Sequence, residues 1–92
     1  MEIQILEAIN NRNRVSFAYK DKLYKAEVYV VGTNKLNKLA IRAWDVSDKM
    51  FKIFLLENIS EFKLLKEDNF SILRNGYTPY GDKHFKEIIK QI

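Results

Sequence analysis

The chain is expected to fold as a mainly β protein, a small antiparallel barrel or sandwich of five short strands with one helix before it and one after it. Three observations carry this expectation. Apolar residues at helical spacing open the chain, and a period of two then runs through its middle, with turn signals recurring about every 10 residues. A second helical spacing closes it.

The first helix is read over Glu2 to about Asn11. Ile5, Leu6 and Ile9 form its apolar stripe, and Glu2, Glu7 and Asn10 lie off it. Asn10-Asn11-Arg12-Asn13 is the expected stop, because Asn tolerates the left-handed conformation at a helix end. In Val15-Ser16-Phe17-Ala18-Tyr19 large and small residues alternate, which marks a strand with one face in a core. After the polar turn Lys20-Asp21-Lys22, a second strand runs from Leu23 to Val31. A third covers Leu39 to Trp44, beyond the loop Gly32 to Lys38. Met50 to Leu56 and Ile59 to Leu65 are the fourth and fifth, separated by a break at Glu57-Asn58. Five such strands can curl and close, which removes most exposed edge. Past Lys66 the pattern breaks, and 74–81 is rich in turn residues. Asp82 then reads as the N-cap of a final helix, with Phe85, Ile88, Ile89 and Ile92 at i, i+3, i+4 and i+7.

At 92 residues there is room for one domain, 1–92, able to bury roughly 60–65% of its unfolded surface. The absence of cysteine excludes a disulfide framework and a thiolate metal site. No apolar run reaches the ~20 residues of a membrane span, and Met1 to Leu6 lacks the basic and apolar regions of a signal peptide. The cytoplasm is the expected compartment. The net charge of +4 would assist contact with phosphate.

The order of motifs resembles that of WYL domains, the Sm/SH3-like β-barrels of bacterial and phage regulators. Leu6-Glu7-Ala8-Ile9 followed by Arg12-Asn13-Arg14-Val15-Ser16-Phe17-Ala18-Tyr19 is similar to the family's opening helix, basic turn and first strand. Leu39-Ala40-Ile41-Arg42-Ala43-Trp44-Asp45 occupies the place of the strand that names the family. Phe51 to Ile59 resembles its Phe-Arg-Leu-Asp-Arg-Ile segment, with Phe54, Leu56, Glu57 and Ile59 at matching positions. The resemblance covers roughly residues 5 to 65. The Trp-Tyr-Leu triplet itself is absent, Leu55 and Asn58 replace basic residues, and Tyr29 stands about where a proline is usual. Lys52 and Arg42 keep a comparable charge nearby. The resemblance implies a five-stranded SH3/Sm-like barrel and a regulatory, ligand-binding role. The helix-turn-helix usual ahead of such domains is not seen, which implies a stand-alone version.

Alternation puts Ala40, Arg42 and Trp44 on one side of the third strand, and Met50, Lys52 and Phe54 on one side of the fourth. If those sides coincide, Arg42, Trp44, Lys52 and Phe54 form a cationic and aromatic patch suited to nucleobases and phosphates. The expected ligand is therefore a single-stranded nucleic acid or a nucleotide-like molecule, held by Arg42, Trp44 and Lys52 with help from Arg12 and Arg14. Lys20, Lys35 and Lys38 extend a possible electrostatic track. The other reading is a small, phage-type protein-interaction module that modulates a host complex. Its surface would be the loop bearing Arg74, Tyr77, Pro79 and Tyr80, with the last helix beside it. Lys83, Lys86 and Lys90 read as the solvated face of that helix. Monomer and homodimer fit both readings.

Catalysis is not expected. His84 is the sole histidine, no serine sits in a Gly-flanked nucleophile turn, and Gly32, Gly76 and Gly81 make no phosphate loop. Asp45 and Asp48 read as turn residues rather than metal ligands. No cofactor is expected.

Overall fold

The computed structural model describes residues 1–77 and 81–92. Helix α1, Glu2–Asn11, places Ile5, Ala8 and Ile9 against the sheet. It ends at Asn11, within the expected run, but Arg12 and not an asparagine takes the left-handed conformation, at φ 54°, and its N–H bonds back to the Ala8 carbonyl. Strands β1 (Asn13–Tyr19), β2 (Lys22–Thr33), β3 (Leu39–Asp45), β4 (Met50–Leu55) and β5 (Ile59–Asn69) follow, with a short 3-10 turn at Leu56–Asn58. They pair antiparallel in the order β4-β3-β2-β1-β5.

The sheet is open. Among the described residues β4 and β5, at its two ends, share no ladder. It is nonetheless strongly curved, so that β4 folds over β1. The Leu55 N–H donates to the Tyr19 hydroxyl at 3.3 Å. The Phe54 ring meets Phe17 edge-on at 4.9 Å and Tyr19 at 5.0 Å. Each ring buried this way contributes about 1.5–3 kcal/mol.

β2 is the longest strand and gives the molecule its two faces. Between Val28↔Ala43 and Val30↔Arg42 its register with β3 skips Tyr29, a β-bulge. Ala26, Val28 and Val31 face inward, where they join Ile41, Ala43, Phe54 and the buried side of α1. Tyr29 and Val30 face outward with Ala40, packed by Phe70 and Phe85 and flanked by Trp44, Phe51 and Tyr77. A sheet covered on both sides explains why β2 reads as a nearly continuous apolar run instead of alternating.

The expected C-terminal helix is not formed. Glu87–Gln91 is a sixth strand, β6, paired antiparallel with the second half of β2. The Lys86 N–H to the Thr33 carbonyl, 2.7 Å, and the Ile92 N–H to the Tyr29 carbonyl, 2.9 Å, extend that pairing at both ends. β1 occupies the same edge of β2 only up to Glu27, so residues 30–33 need another partner. The helical spacing was produced by a second bulge: the register moves from Lys90↔Val31 to Ile88↔Gly32, leaving Ile89 as the extra, outward residue. Asp82, expected as a helix cap, instead closes a turn. Its carboxylate accepts the His84 N–H at 3.0 Å and its carbonyl accepts the Phe85 N–H at 3.0 Å.

Gly32 makes the β6 contact possible. A Cβ there would sit on the Glu87 carbonyl oxygen and 3.0 Å from the Phe85 ring. Gly32→Ala should therefore lose about 1–3 kcal/mol in urea unfolding, with amide-exchange protection lost first in β6. Unchanged stability with β6 still protected would show that the strand does not need this close approach.

Candidate functional site

The outer face is organised around a buried carboxylate. Glu27 on β2 is 0% exposed, a position that requires full charge pairing. Register supplies the first partner, because Arg14 on β1 lies directly opposite. Its Nε donates to Glu27 Oε2 at 2.9 Å, while its Nη1 reaches Asp68 Oδ1 at 2.7 Å. The second partner comes from far along the chain. Arg74 donates Nε to Oε1 at 3.0 Å and Nη2 to Oε2 at 2.9 Å, a two-pronged contact. The Arg74 backbone N–H also donates to the Tyr29 hydroxyl at 2.9 Å. Burial pushes that hydroxyl above its ordinary pKa, against the bond from Arg74 and the charges of Arg74 and Arg12. The hydrogen bonds from Lys25 and then Arg14 hold Asp68 below the usual carboxylate range.

Cations and rings alternate across this face. The Arg74 guanidinium lies 5.2 Å from the Trp44 ring, Arg42 4.5 Å from Phe51 and Arg14 6.0 Å from Phe70. Phe51 meets Trp44 edge-on at 5.2 Å, which joins two of these pairs into one row. At the end of the row Arg42 Nη1 donates to Asp82 Oδ2 at 3.1 Å, and Asp82 Oδ1 holds His84 Nδ1 at 2.6 Å. A cavity of about 480 Å³ opens there, lined by Arg42, Gly76, Asp82, Lys83 and His84. Burial raises the Asp82 carboxyl, but the two bonds from His84 and the charge of Arg42 outweigh it, and the group rests below its ordinary value.

Arg42 and Trp44 thus stand where alternation predicts, on one side of β3 and close together, with Trp44 half-buried rather than sealed. Lys52 does not join them. β4 pairs Phe51 with Trp44 and Lys52 with Ala43, so Lys52 emerges on the other side of the sheet. There it donates to Asp45 Oδ2 at 2.8 Å and Asp48 Oδ2 at 2.5 Å, bonds that raise its pKa. Phe54 is core, and Phe51 takes the place proposed for it. Arg14 is on the outer face, but its charge is committed to Glu27 and Asp68. Arg12 caps α1, and its carbonyl accepts the Phe70 N–H at 3.0 Å. Lys38, in the expected track, pairs with Glu57.

Within the expected tyrosine loop, Tyr77 turns inward. Tyr77 packs on Tyr29 at 5.0 Å, and its hydroxyl accepts a bond from Gln91 Nε2 at 3.0 Å. Pro79 and Tyr80 lie outside the described residues. Three functional groups escaped the sequence reading: Glu27, the Arg74–Trp44 stack and the Asp82–His84 pair. A single acid inside Ala26-Glu27-Val28, at the start of the apolar run that ends at Val31, was the available signal.

A solved structure similar to the chain is proteasome accessory factor B/C (PafBC) of Arthrobacter aurescens. The two share a TM-score of 0.74 at 12% identity, over 85% of this chain and 13% of that one, so the chain spans a small part of that relative and the likeness is one of fold. No family model matches the chain. No curated protein matches it. Among the described residues no helix is long and apolar enough to cross a membrane.

Glu27→Ala should cost about 3–5 kcal/mol, because it strands the guanidinium groups drawn to this carboxylate. Chemical unfolding checks this, and a loss under about 1 kcal/mol would mean that Arg14 and Arg74 re-pair freely with solvent. A depressed Asp82 contributes stability above the ordinary aspartate pKa of about 4, and that contribution is lost as pH falls through the folded-state value. Asp82→Asn should accordingly flatten the acid limb of the melting-temperature profile. An unchanged limb would place the acid sensitivity elsewhere.

Proposed function

We propose that the chain is a non-enzymatic regulatory binding module that takes a single-stranded nucleic acid or nucleotide-like ligand on its outer face. The observation that carries this is the row Arg74–Trp44–Phe51–Arg42, in which each guanidinium lies over a ring and the indole stays half-exposed. Bases stack on aromatic rings and on guanidinium planes, and cations meet the phosphates between them. The WYL-like fold supports a regulatory role. Arg42 and Trp44 are the central contacts, Arg74 supplies a stacking plane, and Arg12 lies at the rim. Lys52 has no part in this face.

A protein-interaction role has support at a different place from the tyrosine loop. Met1, just ahead of α1, and Ile3 on it are exposed, and with Glu2, Leu56 and Glu57 they line an open cleft of about 560 Å³. Such a patch suits a protein partner.

A labelled dT hexamer followed by anisotropy tests the leading reading. The affinity should fall with salt, by about 0.7 in log K per log unit of salt for each phosphate neutralised. Trp44→Ala should weaken binding about 5- to 100-fold. Binding that ignores both salt and Trp44 would contradict the assignment, as would no binding at low salt.

A further inference from the structure

We propose that the cavity lined by Arg42, Gly76, Asp82, Lys83 and His84 binds a terminal phosphate monoester. The proposal rests on the nucleic-acid reading and deepens it: it names the part of the ligand seated at one end of the aromatic row.

The size fits. About 480 Å³ exceeds what a phosphate needs and leaves room for the sugar attached to it. The charge fits as well. Arg42 and Lys83 are set against one carboxylate, so the cavity carries a positive excess even with His84 neutral, and a larger one with it protonated. Lys83 is exposed and makes no ion pair among the described residues.

The carboxylate itself is turned away from a ligand. Asp82's side chain is 3% exposed, with Oδ2 taken by Arg42 and Oδ1 by the ring and backbone N–H of His84. Its charge is spent on positioning. By holding Nδ1 it fixes the His84 ring and leaves Nε2 as the nitrogen that meets a ligand. Arg42 uses Nη1 on Asp82 and Nη2 on the Gly76 carbonyl at 3.4 Å, and a guanidinium has five N–H groups.

A monoester suits this set better than the diester of an internal linkage. It carries close to two negative charges near neutral pH and three free oxygens, enough for Arg42, Lys83 and, when its ring is protonated, the Nε2–H of His84. A diester has one charge and a substituent on each side. Arg42 belongs to both sites: it lines the cavity and lies over Phe51, whose edge meets Trp44. A nucleotide whose base stacks on the row would therefore reach the cavity with its end phosphate.

The test compares dT hexamers carrying a 5′-phosphate, a 3′-phosphate or neither, with inorganic phosphate titrated separately and followed by amide NMR shifts. One phosphorylated hexamer should bind about tenfold or more tightly than the plain one, and the two arms tell which end is read. Lys83→Gln with His84→Gln should abolish that preference and leave affinity for the plain hexamer unchanged. Inorganic phosphate should give saturable shifts at Gly76, Lys83 and His84 that chloride does not. Equal binding of all three hexamers would overturn the cavity's assignment while the nucleic-acid reading stood. A preference that survives the double substitution would overturn it too. If no hexamer binds but phosphate still saturates these amides, the nucleic-acid reading fails and the phosphate site stands.

Discussion

A carboxylate with no exposure at the middle of the sheet sets the terms for the rest of the molecule. Glu27 can be buried only if cations reach it, and the two that do come from opposite ends of the fold. Arg14 is delivered by the β1–β2 register. Arg74 is delivered by the stretch after β5, which must therefore cross the outer face. That crossing brings the Arg74 guanidinium over Trp44 and turns Tyr77 onto Tyr29, and after the Asp82 turn β6 enters the sheet. Replacing so buried a pair with apolar residues is often neutral or stabilising in proteins. Its retention here fits a role in specifying which segment lies across the face.

The bulges at Tyr29 and Ile89 serve the same end. At Tyr29 the β2 strand shifts its alternation, so that Val30 joins Tyr29 on the outer face and Val31 turns into the inner core. At Ile89 the last strand absorbs an extra residue and still closes its ladder over Gly32. Without a partner at residues 30–33, the last third of the longest strand would present an open edge. The resulting outer face has a polar spine, Asp68–Arg14–Glu27–Arg74, beside a row of rings that ends at Arg42 and Asp82.

Much of this was legible in the amino-acid order. The first helix, its stop at the asparagine run and five strands follow from local periodicity, and so does the shared side of Arg42 and Trp44. What local pattern cannot carry is register and distant pairing. Lys52 was placed beside Trp44 because alternation within a strand says nothing about the neighbouring strand, and a shift of one residue reverses every side. Ile88, Ile89 and Ile92 imitate a helix because the bulge between them breaks the period of two. Glu27 looked like an ordinary strand residue, since its burial depends on Arg14 and Arg74, 13 and 47 positions away.

The central claim is that the alternating cations and rings of the outer face are where a ligand is met. Amide and indole NMR shift mapping of the whole chain with the dT hexamer tests it most directly. The account predicts that the largest changes fall on the Trp44 indole N–H and on Arg42 and Arg74, with α1 and the Lys52 side of the sheet undisturbed. Changes centred on Met1, Ile3 and Leu56, or on Lys52 and Asp48, would contradict it.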